Sequence, residues 1–349
     1  MRDVGKQWRM HLRLTLLVLT LCLPLIAAAE SPVSPTSIYR ILERVPGPDG
    51  DWDYAIVDPE ARRMYLARTY GVQAIDLDRP IVTTTLVAGH DVRGIAAIGS
   101  SGRFVSANDE SDSATIFDGK TGQVMVTVRT GVHPDAVVFE PKSGLVVVMN
   151  HTGGDATIID PVKLADVGSI HIGGTLEFAV ANNKGLIYVN IESENRIAVL
   201  DVHARKVTGA IPLLGCQHPT GLAYDAQEDW LISTCSNGIT IVVDAKTGRE
   251  IGSAKTGKSP DAAIWDADRG VVFVPSAADG SLTVITVTRG SAIHVVQRLM
   301  TQIGTRTGAF DPKTGRLYLP ASKFGPPHEP GGYPVPLPGT FTLLVVGIN

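Results

Sequence analysis

Basic charge, aromatic side chains and helical periodicity are all in short supply in this 349-residue sequence. Lys and Arg number 31 against 35 Asp and Glu, a net charge of −4, so a protein that gains affinity by neutralising nucleic-acid phosphates is not indicated. Aromatics make up 6% of the chain, whereas Gly and Pro number 36 and 22, and no apolar period of 3.6 residues persists beyond the first thirty positions. Motifs for covalent haem (C-x-x-C-H), a zinc hydrolase (H-E-x-x-H) and a serine hydrolase (G-x-S-x-G) are missing.

What the sequence does contain is a repeat of about 42 residues. Gly89, Gly131, Gly173, Gly215 and Gly257 are evenly spaced, and a period of that length marks stacked supersecondary units. Each unit reads as four short apolar runs separated by Gly, Asp or Asn turns, the pattern of a propeller blade. The clearest copy is DAVVFEP (Asp135 to Pro141), SGLVVVMN (Ser143 to Asn150), DATIID (Asp155 to Asp160) and VGSIHI (Val167 to Ile172). An aspartate ends the third strand at Asp76, Asp118, Asp160, Asp201 and Asp244, and a sixth unit drifts to Thr286. A seventh begins near Gln302 and lacks its fourth strand, which SIYRILERV (Ser37 to Val45) can supply. The expected fold is all-β: a seven-bladed propeller of four-stranded antiparallel blades, closed by the N-terminal strand joining the last blade.

Residues 1–29 begin with Arg2, Lys6, Arg9 and Arg13, continue through an apolar run from Leu14 to Ile26 and end in three alanines. This pattern predicts a cleaved signal peptide and a periplasmic or secreted protein, with an uncleaved anchor as the alternative. Cys22 lies inside the run without the small residues of a lipoprotein signal. Residues 30–349 are expected to form one propeller domain, monomeric, with no transmembrane segment after cleavage. They carry 27 basic and 34 acidic residues, a net charge near −7. Cys216 and Cys235 fall at the same end of the fifth blade, so a disulfide is expected, with two free thiols as the alternative.

Segments such as LIYVNIESENRIAVLD (Leu186 to Asp201) and LVVVMNHTGGDATIID (Leu145 to Asp160), with the DxKTG turns at Asp118 and Asp244, resemble the YVTN-type bacterial beta-propeller repeat. The chain from residue 30 onward looks like a YncE-like member of that family. The resemblance implies a secreted or periplasmic seven-bladed propeller with a binding role and no shared catalytic motif. It alone suggests nucleic-acid binding, against which the acidic balance argues. Blades of the WD40 type would carry Trp-Asp at the third-strand ends, which these lack. Quinoprotein blades place a tryptophan after the DxKTG turn, where Gln123 to Val126 and Arg249 to Gly252 stand instead, so no quinone cofactor is expected.

Function in a propeller gathers where the turn from one blade's outer strand meets the next blade's inner strand, beside the central channel. Those turns bring His90, His133 and His218, the acids Asp53, Asp135, Glu177 and Asp261, and Arg93 and Arg306 to one rim. The leading expectation is a noncatalytic scaffold that binds a small ligand or protein partner there through Arg93, Asp135, Glu177, Asp261 and Arg306. The alternative is a lyase, lactonase or metal-dependent enzyme. His133, His218 and Glu177 are its catalytic candidates; His90, His133 and His218 would be ligands for a divalent metal; Arg93 and Arg306 would clamp an anionic substrate. NDESDS (Asn108 to Ser113) offers oxygens for calcium without the twelve-residue calcium loop. Asn108, Asn150 and Asn190 read as equivalent turn-capping residues, and His151 as a solvated neighbour. The Pro-rich stretch 323–339 must leave the seventh blade as a loop on the same face, with His328 and Tyr333 available for contact.

Overall fold

The computed structural model describes residues 38–79, 82–287, 293–326 and 334–348. The signal-like segment Met1 to Ala29 with Cys22, and His328 and Tyr333 of the Pro-rich stretch, lie outside the described residues. Seven four-stranded antiparallel sheets form the seven blades. Blade one runs from Trp52–Asp58 to Val82–Ala88, blade two from Val92–Ala97 to Val124–Arg129, and blade three from Pro134–Glu140 to Ala165–His171. Blade four runs from Leu176–Ala181 to Lys206–Pro212, blade five from Pro219–Asp225 to Glu250–Lys255, and blade six from Ile264–Asp266 to His294–Met300. Blade seven combines Ala309–Asp311, Arg316–Ala321 and Thr342–Gly347 with Arg40–Pro46 from the other end of the chain.

The middle strands show why apolar runs and not simple alternation mark this fold. In Leu145–Asn150, Val147 and Met149 pack toward blade four while Val146 and Val148 pack toward blade two. Successive side chains point to opposite faces, and a neighbouring blade covers each face. The described core is accordingly a set of seven clusters, one between each pair of adjacent blades. The outermost strands are half-exposed and polar, as in Glu250–Lys255, which discourages edge-to-edge pairing.

The recurring aspartates cap turns. Asp76 accepts the N–H groups of Asp78 and Arg79, Asp118 those of Lys120 and Thr121, and Asp160 and Asp244 repeat the arrangement. These backbone donors hold the four carboxyls below the usual carboxylate range. The asparagines differ from expectation. Asn108 and Asn150 are buried and bond hydroxyls inside their own blades. Asn190 sits one register position earlier in its strand, since Ile191 and not Asn190 pairs with Leu176. That slip turns its side chain to the other face, where it donates to the carbonyls of Thr220 and Gly221 in blade five at 2.7 and 3.1 Å.

Ring closure follows the expected route. Arg40–Pro46 pairs antiparallel with Thr342–Gly347, and Gln297 of blade six clasps Tyr39 by accepting its N–H and donating to its carbonyl at 2.8 and 2.7 Å. Cys216 and Cys235 form a disulfide, with Cα atoms 5.4 Å apart, that ties the turn entering blade five to the end of its second strand. The Pro-rich insertion leaves blade seven between its second and third strands. Its described ends form a ribbon of Phe324–Gly325 with Val335–Pro336, and Gly339 donates to Asp49 at 2.6 Å. No helix among the described residues is long and apolar enough to cross a membrane.

Inner strands of adjacent blades approach one another closely at Gly221. A Cβ there would lie 2.5 Å from the Ala262 backbone of blade six, which has no room to yield. Gly221→Ala should therefore destabilise the fold by about 1–3 kcal/mol, read as a lowered midpoint of urea unfolding; an unchanged midpoint would refute the close packing of blades five and six.

Candidate functional site at the channel end

Each inner strand of blades one to five carries a bulge at the same place. Register shifts occur between Trp52 and Ala55, Val92 and Ile95, Pro134 and Val137, Leu176 and Ala179, and Pro219 and Leu222. A bulge re-aims the side chain it contains. The first residues of these bulges are Asp53, Arg93, Asp135, Glu177 and Thr220, and Asp261 and Arg306 take the same place in blades six and seven. This position builds a ring of four carboxylates and two guanidiniums around the channel end, while the buried Thr220 hydroxyl donates to the Pro260 carbonyl of blade six at 2.9 Å.

The second bulge residues are small, except in two blades. Tyr54 of blade one and Phe178 of blade four meet edge to face across the channel, ring centroids 4.8 Å apart. The Tyr54 hydroxyl donates to Glu177 Oε2 at 3.3 Å. Beyond this pair lies an apolar cavity of about 470 Å³, lined by residues such as Ala55, Val180, Leu222 and Phe310.

Charge in the ring is unevenly compensated. Arg93 reaches Asp53 at 3.1 Å, Asp91 at 2.7 Å and Asp109 at 3.3 Å. Arg306 reaches Asp51 at 3.3 Å and Asp261 at 3.6 Å, and also donates to the Trp52 carbonyl. Both guanidiniums, expected to clamp an anionic substrate, already face the protein's own carboxylates. Asp135 and Glu177 form no ion pair with Lys or Arg among the described residues. Burial, reinforced by Asp53, pushes the Asp135 carboxyl well above its ordinary range, and burial with Asp135 beside it does the same to Glu177. Burial and then Asp53 push Asp261 up to about 6, and burial raises Asp53 against the opposing pull of Arg306 and Arg93.

The histidines regroup. His133 and His218 lie in blades three and five with blade four between them, and their side chains are more than half exposed. Both have left-handed backbones, φ 54° and 51°, and their N–H groups are held by Asp112 and Asn195 of the preceding blades. Their matched His-Pro spacing therefore reflects a turn conformation that histidine tolerates better than most residues. His133 Nδ1 lies 2.5 Å from Asp109, and His218 Nδ1 lies 3.5 Å from Glu192. His90 is exposed and joins neither. Asp109, which the calcium reading would use, is instead occupied by Arg93 and His133.

The histidine that does approach the ring is His151, just after the second strand of blade three. Far from being merely solvated, its side chain is 28% exposed, and its Nδ1 lies 2.7 Å from the Leu176 carbonyl and 3.6 Å from Glu177. A ligand atom from each of Asp135, His151 and Glu177 falls within 4.8 Å of the others. The sequence signal for His151 is positional: the first residue after the second strand is Asp109, His151 and Glu192 in three consecutive blades, and each leans toward the next blade.

No family model and no curated protein matches the chain. Among solved structures, a chain of Kuenenia stuttgartiensis hydrazine synthase is similar at 14% identity and a TM-score of 0.68, over 79% of this chain and 92% of that one. As many as 1784 solved chains match, so the likeness identifies the propeller fold and no particular activity.

Asp261 supplies a pH test. Its folded pKa of about 6 lies above the ordinary carboxylate value, so the folded state binds the extra proton and this group's penalty grows as pH rises from about 4 through 6. Asp261→Asn, which cannot ionise, should gain stability relative to the unmodified protein between pH 4.5 and 7.5. Urea midpoints at both pH values give the comparison; a midpoint of the variant minus that of the unmodified protein that stays constant or falls as pH rises would contradict the raised pKa.

Proposed function

We propose that the protein is a periplasmic or secreted, noncatalytic binding propeller whose channel-end basin receives a cationic ligand. The carrying observation is the charge imbalance: Arg93 and Arg306 are engaged by Asp51, Asp53, Asp91, Asp109 and Asp261, whereas Asp135 and Glu177 have no Lys or Arg ion-pair partner among the described residues. Two desolvated carboxyls on adjacent blades gain most from a positive group, which offsets the cost of ionising them. An enzyme built on His133 and His218 has less support, because each is paired with a different acid on a different blade. Export is supported by the basic, apolar and small-residue order of residues 1–29 and by the Cys216–Cys235 bridge, which an oxidising compartment preserves. The YVTN-type resemblance also favours a binding role.

Calorimetric titration with Zn²⁺, Ca²⁺ and spermidine, with citrate as the anionic counterpart, tests this reading. At least one cation should bind at neutral pH, and the Asp135→Asn/Glu177→Gln double variant should weaken it by about tenfold or more. Citrate binding with no cation binding, or cation binding untouched by the double variant, would overturn it.

A further inference from the structure

Building on that reading of the basin, we infer that its ligand is a divalent transition-metal ion of the zinc class, held by Asp135, His151 and Glu177. The donor set is mixed, one imidazole and two carboxylates, which suits a borderline ion. Calcium takes six to eight oxygens and magnesium keeps an octahedral oxygen shell, so neither matches three donors that include a nitrogen.

A backbone carbonyl only accepts, so the 2.7 Å contact with Leu176 places a proton on His151 Nδ1, which also lies 3.6 Å from Glu177, and leaves Nε2 as the nitrogen that would take a metal. A second hydrogen bond of this kind is what orients histidine in metal sites. Glu177 is steadied in turn, because Tyr54 donates to its Oε2 from across the channel. Asp135 accepts no hydrogen bond from any described residue, and the bulge of blade three turns it into the ring.

Two donors on a tetrahedral zinc lie about 3.4 Å apart, so a set within 4.8 Å must close inward by about 1 Å, with His151 Nε2 brought in toward the two carboxylates. Three protein donors would leave a fourth coordination position open. The ion would also compensate the two carboxylates with which Arg93 and Arg306 form no ion pair.

Zinc titration followed by elemental analysis after dialysis tests the site, using the unmodified protein, His151→Ala, His151→Gln, and His133→Ala as a control. One zinc per chain should be retained. Both His151 variants should bind zinc at least about tenfold more weakly while still binding spermidine, which shows that the basin remains folded. His133→Ala should bind as the unmodified protein does. Zinc binding that survives loss of His151, or that disappears with His133, would overturn the assignment. Spermidine binding without zinc binding would defeat the metal site alone, and no binding of any cation would defeat the cationic basin with it.

Discussion

A blade of this propeller has no interior of its own. Its middle strands are apolar on both faces, and each face becomes core only when another blade covers it. Val146 and Met149, a few residues apart on one strand, belong to different clusters for this reason. Such an arrangement is satisfied only when the last blade meets the first, so the pairing of Arg40–Pro46 with Thr342–Gly347 supports every other contact. The Gln297 clasp on Tyr39 and the packing of Tyr39 on Phe273 at 5.1 Å fasten the same seam to blade six. Closure also lets the inner strands converge, which brings residues separated by hundreds of positions to one rim.

The bulge gives that convergence chemical content. An unbulged inner strand would present one alternating set of side chains to the channel, whereas the bulge places two successive residues there. The first supplies charge and the second, in blades one and four, supplies an aromatic ring. Burial then makes the carboxylates costly to ionise, and the arginines form direct ion pairs on one side of the ring only. The asymmetry of the basin arises from which blades carry Arg93 and Arg306, not from any departure from the common backbone plan.

The fold was legible because the same backbone need recurs every 42 residues. Asp76, Asp118, Asp160 and Asp244 repeat because a turn needs its N–H groups capped, and even Thr286 ends the third strand where the count places it. The positions of Arg93, Asp135, Glu177, Asp261 and Arg306 at one rim were legible for a similar reason. Partnership between blades was not. His133 and His218 share a spacing imposed by a left-handed turn, which in sequence looks the same as a shared chemical task. His151 does not stand out in the sequence, because its approach to Glu177 is a contact between blades three and four and leaves no mark within the repeat. Asn190 shows the limit at its finest: a repeat one residue short turned an apparent counterpart of Asn150 to the opposite face.

The contact of Tyr54 with Phe178 has a consequence for traffic through the ring. The two rings narrow the passage between the polar mouth and the cavity that they help to line, so a change that removed either ring would widen the way between the two.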